Sequence, residues 1–595
     1  MSVALEKQTS LQLDGSKYQY LSEFLEDLPD NSYVNKVLTG CGGTTVALSN
    51  SVDYVICVPF ISMIINKCEQ HPEVFGLYGE VTNAALMSYI ETQTLNMRPK
   101  KIMVTYDSLV RLCDLINPNE YKLLVDEAHK LLDSASFRQR AVRSVMKNYE
   151  RFRSYVFMTA TPVKEEYQLP ELRSIPQVEI DWGDIVPVEL TKMQVEPSNL
   201  VERLLLLCVE HLKGSIEGTP YFFMNTVTGI CKLVKALSKL DSGINSETVK
   251  IICADNEFNR KKIESHLGRK WKPSKVSDVG GSIYFCTATA FEGSDIYCKT
   301  GRTYIVSDGT KEHTKHDILT TIPQIIGRLR NSIYKNQVTL VYTDTPYYRY
   351  MTPEEYAEVV NEQLKNSAVY IEDYQMVKTE AAKSSLYETA LTNAYLYVDN
   401  DVMEVDAWSW HNEMHNYDVV NCQYSVRLEG VELINKVPYK YGEVVEELGK
   451  LEGADKLLVG KRADFREVAK TYVALKDKPL KTRAEVVRLA AIEGEYHFIH
   501  EAYLLLGEEG FKRHKWLKKP IKQHVLLHSK GRHKDKVRAM LNLKVGWKYS
   551  SAELKEKYSN IPDFSRLEDY YLVRKCRFRK DGKNLRGYII QGVAQ

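Results

Sequence analysis

The chain has no C-x-x-C pair and no Cys/His cluster at zinc spacing anywhere in its 595 residues. Its eleven cysteines are scattered, which predicts no structural metal and no disulfide framework and points to a reducing compartment. Long apolar runs are missing as well. Segments such as 204–209 stop far short of the ~20 residues that a bilayer requires. Residues 1–12 lack the basic start and apolar stretch of a secretory signal. These absences together predict a soluble chain in the cytoplasm with no membrane partner. Net charge is nearly absent too, at +2 from 80 basic and 78 acidic side chains. The whole molecule is therefore no polyelectrolyte, and any surface for nucleic acid has to be local. There is no internal repeat and no low-complexity tract.

What is present is an ordinary globular composition, 44% apolar, in a chain too long for one core. Short β-prone apolar runs occur at 33–48, 54–60, 101–105, 121–125 and 155–158. A second set lies near 219–224, 249–253, 282–286, 303–307 and 338–342. Strands alternating with helical patterns predict parallel α/β sheets. Two successive α/β domains are expected, at 1–185 and 186–350, with the acidic, proline-bearing stretch 165–187 as the linker. A mainly helical accessory region at 351–475 and a basic region at 476–595 follow. Ser550 and Glu553 have capping-box spacing for a helix at 551–558. Asp581-Gly582 marks a turn between two strands, so the chain is expected to end in a helix and hairpin.

The first domain opens with a glycine-rich turn, Gly40-Cys41-Gly42-Gly43-Thr44-Thr45. Such a turn between a strand and a helix offers backbone N–H groups to phosphate oxygens. Val125-Asp126-Glu127-Ala128-His129 follows an apolar run. Adjacent carboxylates at the end of a buried strand are costly unless they meet a cation or a hydrogen-bond network. One can hold magnesium while the other polarises water. Thr159-Ala160-Thr161 follows the next strand, with short hydroxyls able to link a nucleotide site to a neighbouring domain. The second domain supplies Thr287, Gly293 and Asp295, then Gln324-Ile325-Ile326-Gly327-Arg328-Leu329-Arg330. Two guanidinium groups one residue apart suit the charge of a transferred phosphoryl group.

Positive charge concentrates near the end of the chain. Residues 511–538 hold eleven Lys or Arg and one acidic residue, with Trp516 among the lysines. Lys512, Arg513, Lys515, Lys518, Lys519 and Arg532 are the expected phosphate contacts. Neutralised phosphates and released counter-ions are the natural use of such an excess. A basic hairpin after a helix suggests a winged-helix-like reader.

In this order the segments resemble the superfamily 2 helicases of the DEAD/DEAH group. Gly40–Thr44 is similar to motif I, with Thr44 at the magnesium position. Pro59 looks like motif Ia, and the segment starting at Thr105 resembles a nucleic-acid contact of the same domain. Asp126-Glu127-Ala128-His129 matches motif II, Thr159-Ala160-Thr161 motif III, Thr287, Gly293 and Asp295 motif V, and Gln324 to Arg330 motif VI. The compact Gly327-Arg328-x-Arg330 spacing is most similar to herpesvirus origin-binding-protein helicases and related phage proteins. The resemblance covers about 30–345. It implies two tandem RecA-like domains, ATP and Mg2+ in the cleft, and a nucleic-acid strand (DNA favoured over RNA) across both. By the same resemblance Thr44 and Asp126 hold magnesium, Glu127 orients water, Gln324 senses the terminal phosphate and Arg328 or Arg330 is the finger. Thr159, Ala160 and Thr161 couple the domains, and Pro59, Thr105 and Thr287 face the strand. The implied function is an ATP-dependent helicase or translocase in replication or recombination of a virus or mobile element, acting in the host cytoplasm.

One residue departs from the pattern. Where the family has Gly-x-Gly-Lys-Thr, this chain has Gly43 in place of the lysine. A charge-assisted hydrogen bond is worth about 1.5–3 kcal/mol, so its loss weakens nucleotide binding by roughly 10–200-fold. Three outcomes stay open: Lys36 compensates, ATP binds weakly but turns over, or hydrolysis is lost and the chain is a DNA-binding scaffold or replication initiator.

Overall fold

The computed structural model describes residues 8–15, 17–134, 138–183, 188–291, 295–343, 351–399, 402–424, 445–448, 454–528, 533–559, 561, 566–580 and 582–593. The chain divides into two units, Met1–Arg203 with Gly218–Lys450, and Leu204–Glu217 with Leu451–Gln595.

The first unit holds two parallel sheets. The first contains β1 (Gln8–Gln12), β2 (Ser32–Asn35), β3 (Tyr54–Val58), β4 (Phe75–Leu77), β5 (Lys101–Thr105), β6 (Lys122–Asp126), β7 (Ser154–Thr159) and β8 (Gln177–Asp181), in the order β1-β8-β2-β7-β6-β3-β5-β4. Every pairing is parallel. Helix α1 (Gly43–Ser49) follows β2, and α2 (Ile61–Gln70) follows β3. Strands β3, β5 and β6 are buried on both faces, which explains apolar runs without alternation. Tyr54, Ile56 and Val58 enter one core and Val55 and Cys57 the other. Leu124 and the pair Leu123 and Val125 divide in the same way.

The second sheet contains β9 (Glu189–Gln194), β10 (Thr219–Phe223), β11 (Val249–Ile252), β12 (Ile283–Cys286), β13 (Gly301–Ser307) and β14 (Gln337–Tyr342). Its order is β11-β12-β10-β13-β14-β9, closed at the β9 edge by β17 (Val445–Leu448). Its pairings are also parallel. Tyr221, Phe223, Tyr284, Cys286 and Ile305 share one core, while Phe222 stacks between Phe285 and Tyr304. Between β14 and β17 lies a small antiparallel pair, β15 (Leu396–Asp399) and β16 (Val402–Val405).

These observations correct three expectations. The stretch 165–187 is no free linker, because Gln177–Asp181 is β8, hydrogen-bonded between β1 and β2. Val445–Leu448 belongs to the second sheet rather than to a separate helical region. The boundary expected at 475/476 falls inside one core: Phe465, Val468 and Tyr472 pack with Leu489, Ile492 and Ile499. These strands and contacts are fixed by partners far along the chain, which local periodicity does not register.

The second unit contains helices Ala454–Leu458, Phe465–Asp477, Arg483–Glu495, Ile499–Arg513, Lys518–His528 and His533–Leu541. It ends with β18 (Lys548–Ser550), helix Ser551–Tyr558, and the hairpin β19 (Tyr571–Lys580) and β20 (Lys583–Val593), which form a three-stranded antiparallel sheet in the order β18-β20-β19. Ser550 caps its helix through the expected box with Glu553. Of the expected turn, Asp581 lies outside the described residues, and Gly582 has φ +74°. Among the described residues no helix is long and apolar enough to cross a membrane.

Candidate functional site

Parallel sheets place their loops at the C-terminal ends of the strands, and ligands bind there. In the first sheet the turn after β2, the acidic pair at the end of β6 and the segment after β7 meet at that edge. The turn and the acidic pair line a cavity of about 390 Å³ together with Asp295, Arg328 and Arg330 of the second α/β half.

The turn needs its glycines. Gly40 and Gly42 have φ of +69° and +80°, a region open to glycine at little cost. A Cβ on Gly40 would stand 1.6 Å from Arg330 Nη1. Cys41 is buried and its carbonyl accepts from the Leu21 N–H at 2.7 Å. Thr44 Oγ1 donates to Asp126 Oδ2 at 2.6 Å, and Lys36 Nζ to Asp126 Oδ1 at 3.3 Å. The Lys36 N–H also donates to the Thr159 carbonyl at 2.8 Å, tying β2 to β7. Thr45 lines the cavity one residue further on.

A side chain at Gly43 would have to displace the ends of Met158 and Lys36. A Cβ there would lie 2.7 Å from Met158 Sδ and 3.3 Å from Lys36 Cδ. The alkyl chain of Lys36 therefore already runs beside position 43 on its way to Asp126.

Glu127 has φ +53°, an unfavourable conformation for a residue with a Cβ. Its backbone is held by the Glu127 N–H donating to Asp126 Oδ1 at 2.9 Å and by the Tyr106 hydroxyl donating to the Asp126 and Glu127 carbonyls at 2.7 and 3.2 Å. Burial pushes the Glu127 carboxyl up, but Lys36, His129, Arg328 and Lys130 outweigh it and hold the group below its ordinary value. Burial pulls the Lys36 ammonium down, yet Asp126 and Glu127 keep it protonated, above its ordinary value.

A chain of hydrogen bonds then crosses to the second half. Gln324 Nε2 donates to Glu127 Oε2 at 3.0 Å and to Thr161 Oγ1 at 3.1 Å. Arg328 Nη2 donates to Gln324 Oε1 at 2.7 Å. Arg330 donates to Asp295 Oδ1 through Nε at 2.9 Å and Nη2 at 2.6 Å. Thr159, Ala160 and Thr161 are buried. The Thr159 hydroxyl meets His129 Nδ1 at 2.8 Å and accepts from the Thr161 N–H at 3.0 Å.

Thus Lys36, Gly40 to Thr45, Asp126, Glu127, Asp295, Arg328 and Arg330 converge on one cavity, with Thr161 and Gln324 bridging behind it. Gly293 lies outside the described residues. The three expected strand contacts of this unit are different. Pro59, Thr105 and Thr287 are buried. The Pro59 carbonyl accepts from Arg138 Nη1 at 2.9 Å, Thr105 Oγ1 donates to Ser108 Oγ at 3.1 Å and Thr287 Oγ1 to the Ile252 carbonyl at 3.3 Å. The Thr105 and Thr287 hydroxyls and the Pro59 carbonyl are thus engaged within the protein.

The cavity also includes Tyr20, Ser22, Met63, Asn66, Lys67, Gln70 and Tyr297, which the motifs did not indicate. A signal for the α2 residues was present: positions 63, 66, 67 and 70 have the spacing of one helix face.

In the second unit Lys512, Arg513, Lys515, Lys518 and Lys519 are exposed, while Arg532 lies outside the described residues. Lys512 pairs with Glu508 and Glu509 on its own helix. Trp516 is partly buried and packs on Phe511 beside the helical core. Lys518 joins Lys213, Lys461 and Arg462 in a cleft of about 540 Å³ whose single lining carboxylate is Glu495.

No protein-family model matches the sequence, and no curated protein matches it. Among solved structures the chain is similar to an S. cerevisiae Dbp5 variant bound to Gle1 and IP6, at 15% identity and TM-score 0.35 over 53% of this chain and 78% of that one. It is similar to the DEAD-box helicase Mss116 bound to ssRNA and UDP-BeF, at 14% and 0.34 over 64% and 86%. It is also similar to RecG bound to a three-way DNA junction, at 16% and 0.34 over 56% and 41%.

Proposed function

We propose that this chain is an ATP-dependent nucleic-acid helicase or translocase. The observation that carries this reading is Gln324, whose amide touches Glu127 and Thr161 from the second half while its oxygen receives Arg328. One side chain thereby joins the carboxylate suited to water activation, the segment after β7 and a guanidinium. Occupancy of the cavity is then felt in both sheets.

In this reading the nucleoside triphosphate is substrate. The adjacent oxygens of Thr44 and Asp126 fit the hard oxygen set that magnesium prefers, and the metal supplies charge neutralisation at the phosphates. The N–H groups of 40–45 cradle phosphate oxygens. Lys36 takes part of the role of the missing lysine, supported by its path beside Gly43. Glu127, held ionised, orients the attacking water and accepts its proton. Arg328 and Arg330 donate to the charge on the transferred phosphoryl group. Loss of that group removes the anion that Arg328 and Arg330 share with the turn, the halves part, and the grip on a strand alternates.

The compact Gly327-Arg328-x-Arg330 spacing supports a role in replication or recombination of a virus or mobile element, in the host cytoplasm, with DNA as the favoured polymer. The boundaries 1–185 and 186–350 serve as the two motor domains. The second unit is the further nucleic-acid-binding region, its last helix and hairpin acting as a winged-helix-like module. The cationic cleft at Lys213, Lys461, Arg462 and Lys518 supports that part.

The test is ATP hydrolysis with magnesium, with and without single-stranded DNA or RNA, beside Glu127→Gln. Polymer-stimulated turnover lost in the variant is the expected result. The buried Lys36–Asp126 pair favours a second reading, a nucleic-acid scaffold in which lysine replaces the metal. No turnover above the variant, with nucleic-acid binding intact, would support the scaffold.

A further inference from the structure

Helix α2 presents Met63, Asn66, Lys67 and Gln70 to the cavity, while Ile64 is fully buried on its other side. The three polar side chains form a short network. Lys67 Nζ donates to Gln70 Oε1 at 3.3 Å, and Gln70 Nε2 donates to Asn66 Oδ1 at 2.5 Å.

Lys67 differs from the other lysines packed into the first sheet. Lys101 donates to the Ala47 and Val52 carbonyls and to Asn50. Lys122 meets Asp27, Asp30 and the Leu28 carbonyl. Lys36 meets Asp126. Among the described residues no carboxylate lies within ion-pair distance of Lys67, and its single hydrogen-bond partner is an amide. The cavity is lined by four cations, Lys36, Lys67, Arg328 and Arg330, and by three carboxylates, Asp126, Glu127 and Asp295. Asp126 is engaged by Lys36 and Thr44, Asp295 by Arg330, and Glu127 by Gln324. Lys67 is the surplus positive charge. Burial lowers its pKa, against the pull of Asp295 and Asp126. A half-buried ammonium without a counter-charge is costly and is relieved by an anion.

We propose that Lys67 binds the terminal phosphate of the nucleoside triphosphate and supplies, from α2, the charge that position 43 lacks. This rests on the nucleotide reading of the cavity. Lys36 is tied to Asp126 on the first-sheet wall, whereas Lys67 is the cation free to meet a phosphate that also reaches Arg330. Asn66 and Gln70 position it. The assignment makes Lys67 a discriminator between triphosphate and diphosphate, since a diphosphate lacks the group it meets.

The experiment compares binding of a non-hydrolysable ATP analogue and of ADP, by titration calorimetry with magnesium, to the full chain and to Lys67→Gln and Lys67→Arg. Thermal melts establish that both variants fold. Lys67→Gln is expected to lose at least about tenfold in analogue affinity, with ADP changed less than about threefold, and Lys67→Arg to retain most of the preference. Equal losses for both nucleotides, or no loss, would overturn the assignment while leaving the nucleotide reading standing. Failure of the unmodified chain to bind either nucleotide would overturn both.

Discussion

Gly327 and Thr39 fit together without space to spare: a Cβ on Gly327 would stand 1.7 Å from Thr39 Oγ1. Gly327 has φ −75°, so its backbone suits any residue and the requirement for glycine comes from this contact alone. The segment carrying Arg328 and Arg330 reaches the turn carrying Gly40 only because neither residue intrudes.

Gly327→Ala is therefore expected to hold the two halves apart and to lower ATP turnover at least about tenfold, on the scale of misplacing a catalytic group by about 1 Å. Adding Thr39→Gly to the same chain should recover part of the rate. Steady-state hydrolysis by the single and double variants checks this. An unimpaired Gly327→Ala enzyme would refute a closed, catalytic arrangement of these segments.

A lysine at position 43 should not raise turnover. Gly43→Lys places its Cβ against Met158 Sδ, 2.7 Å away, and against Lys36 Cδ at 3.3 Å. Overpacking of this kind costs about 1–3 kcal/mol. The variant is expected to melt several degrees lower, with no gain in turnover. A faster enzyme of unchanged stability would show that Met158 and Lys36 give way at no cost.

Acid should weaken the second sheet through His316. Burial lowers its pKa from 6.5 to about 4, so the unfolded chain takes up the proton more readily than the folded one. The stability contributed by the neutral ring is full above pH 6.5 and declines as pH falls toward 4. At about 1.4 kcal/mol per pH unit, the span amounts to about 3 kcal/mol. Denaturant unfolding of the unmodified chain and of His316→Gln at pH 7, 6, 5 and 4 measures it, with the flatter profile expected for the variant.

The cleft of the second unit should contribute to the salt dependence of nucleic-acid binding. Lys461, Arg462 and Lys518 line it with Lys213. Replacing Lys461, Arg462 and Lys518 by alanine is expected to flatten the slope of log affinity against log salt by up to about 3 for duplex DNA. Fluorescence anisotropy between low and moderate salt reads the slope. An unchanged slope would remove the cleft from the binding surface.

Much of this molecule was legible in its linear order. Apolar runs located β2, β3, β5, β6 and β7 of the first sheet and β10 to β14 of the second, because parallel strands buried on two faces leave continuous hydrophobic segments; β1, β4 and β9, at or near the sheet edges, left no such run. The spacing of Gly40 to Thr45, Asp126-Glu127 and Gln324 to Arg330 picked out residues that meet at one cavity, since turns and strand ends are local and their chemistry is written in adjacent residues. Convergence was decided by the tertiary structure. Gln177–Asp181 became a strand because β1 and β2 pair with it, and Val445–Leu448 because β9 offered an edge. The buried positions of Pro59, Thr105 and Thr287, the path of Lys36 beside Gly43, and the meeting of Lys213 with Lys461 all depend on packing between segments distant in sequence. So does the surplus charge of Lys67, because the number of carboxylates left to pair with a lysine is a property of the folded cavity. Periodicity reports which face of an element is apolar; only the completed strand order says what that face meets.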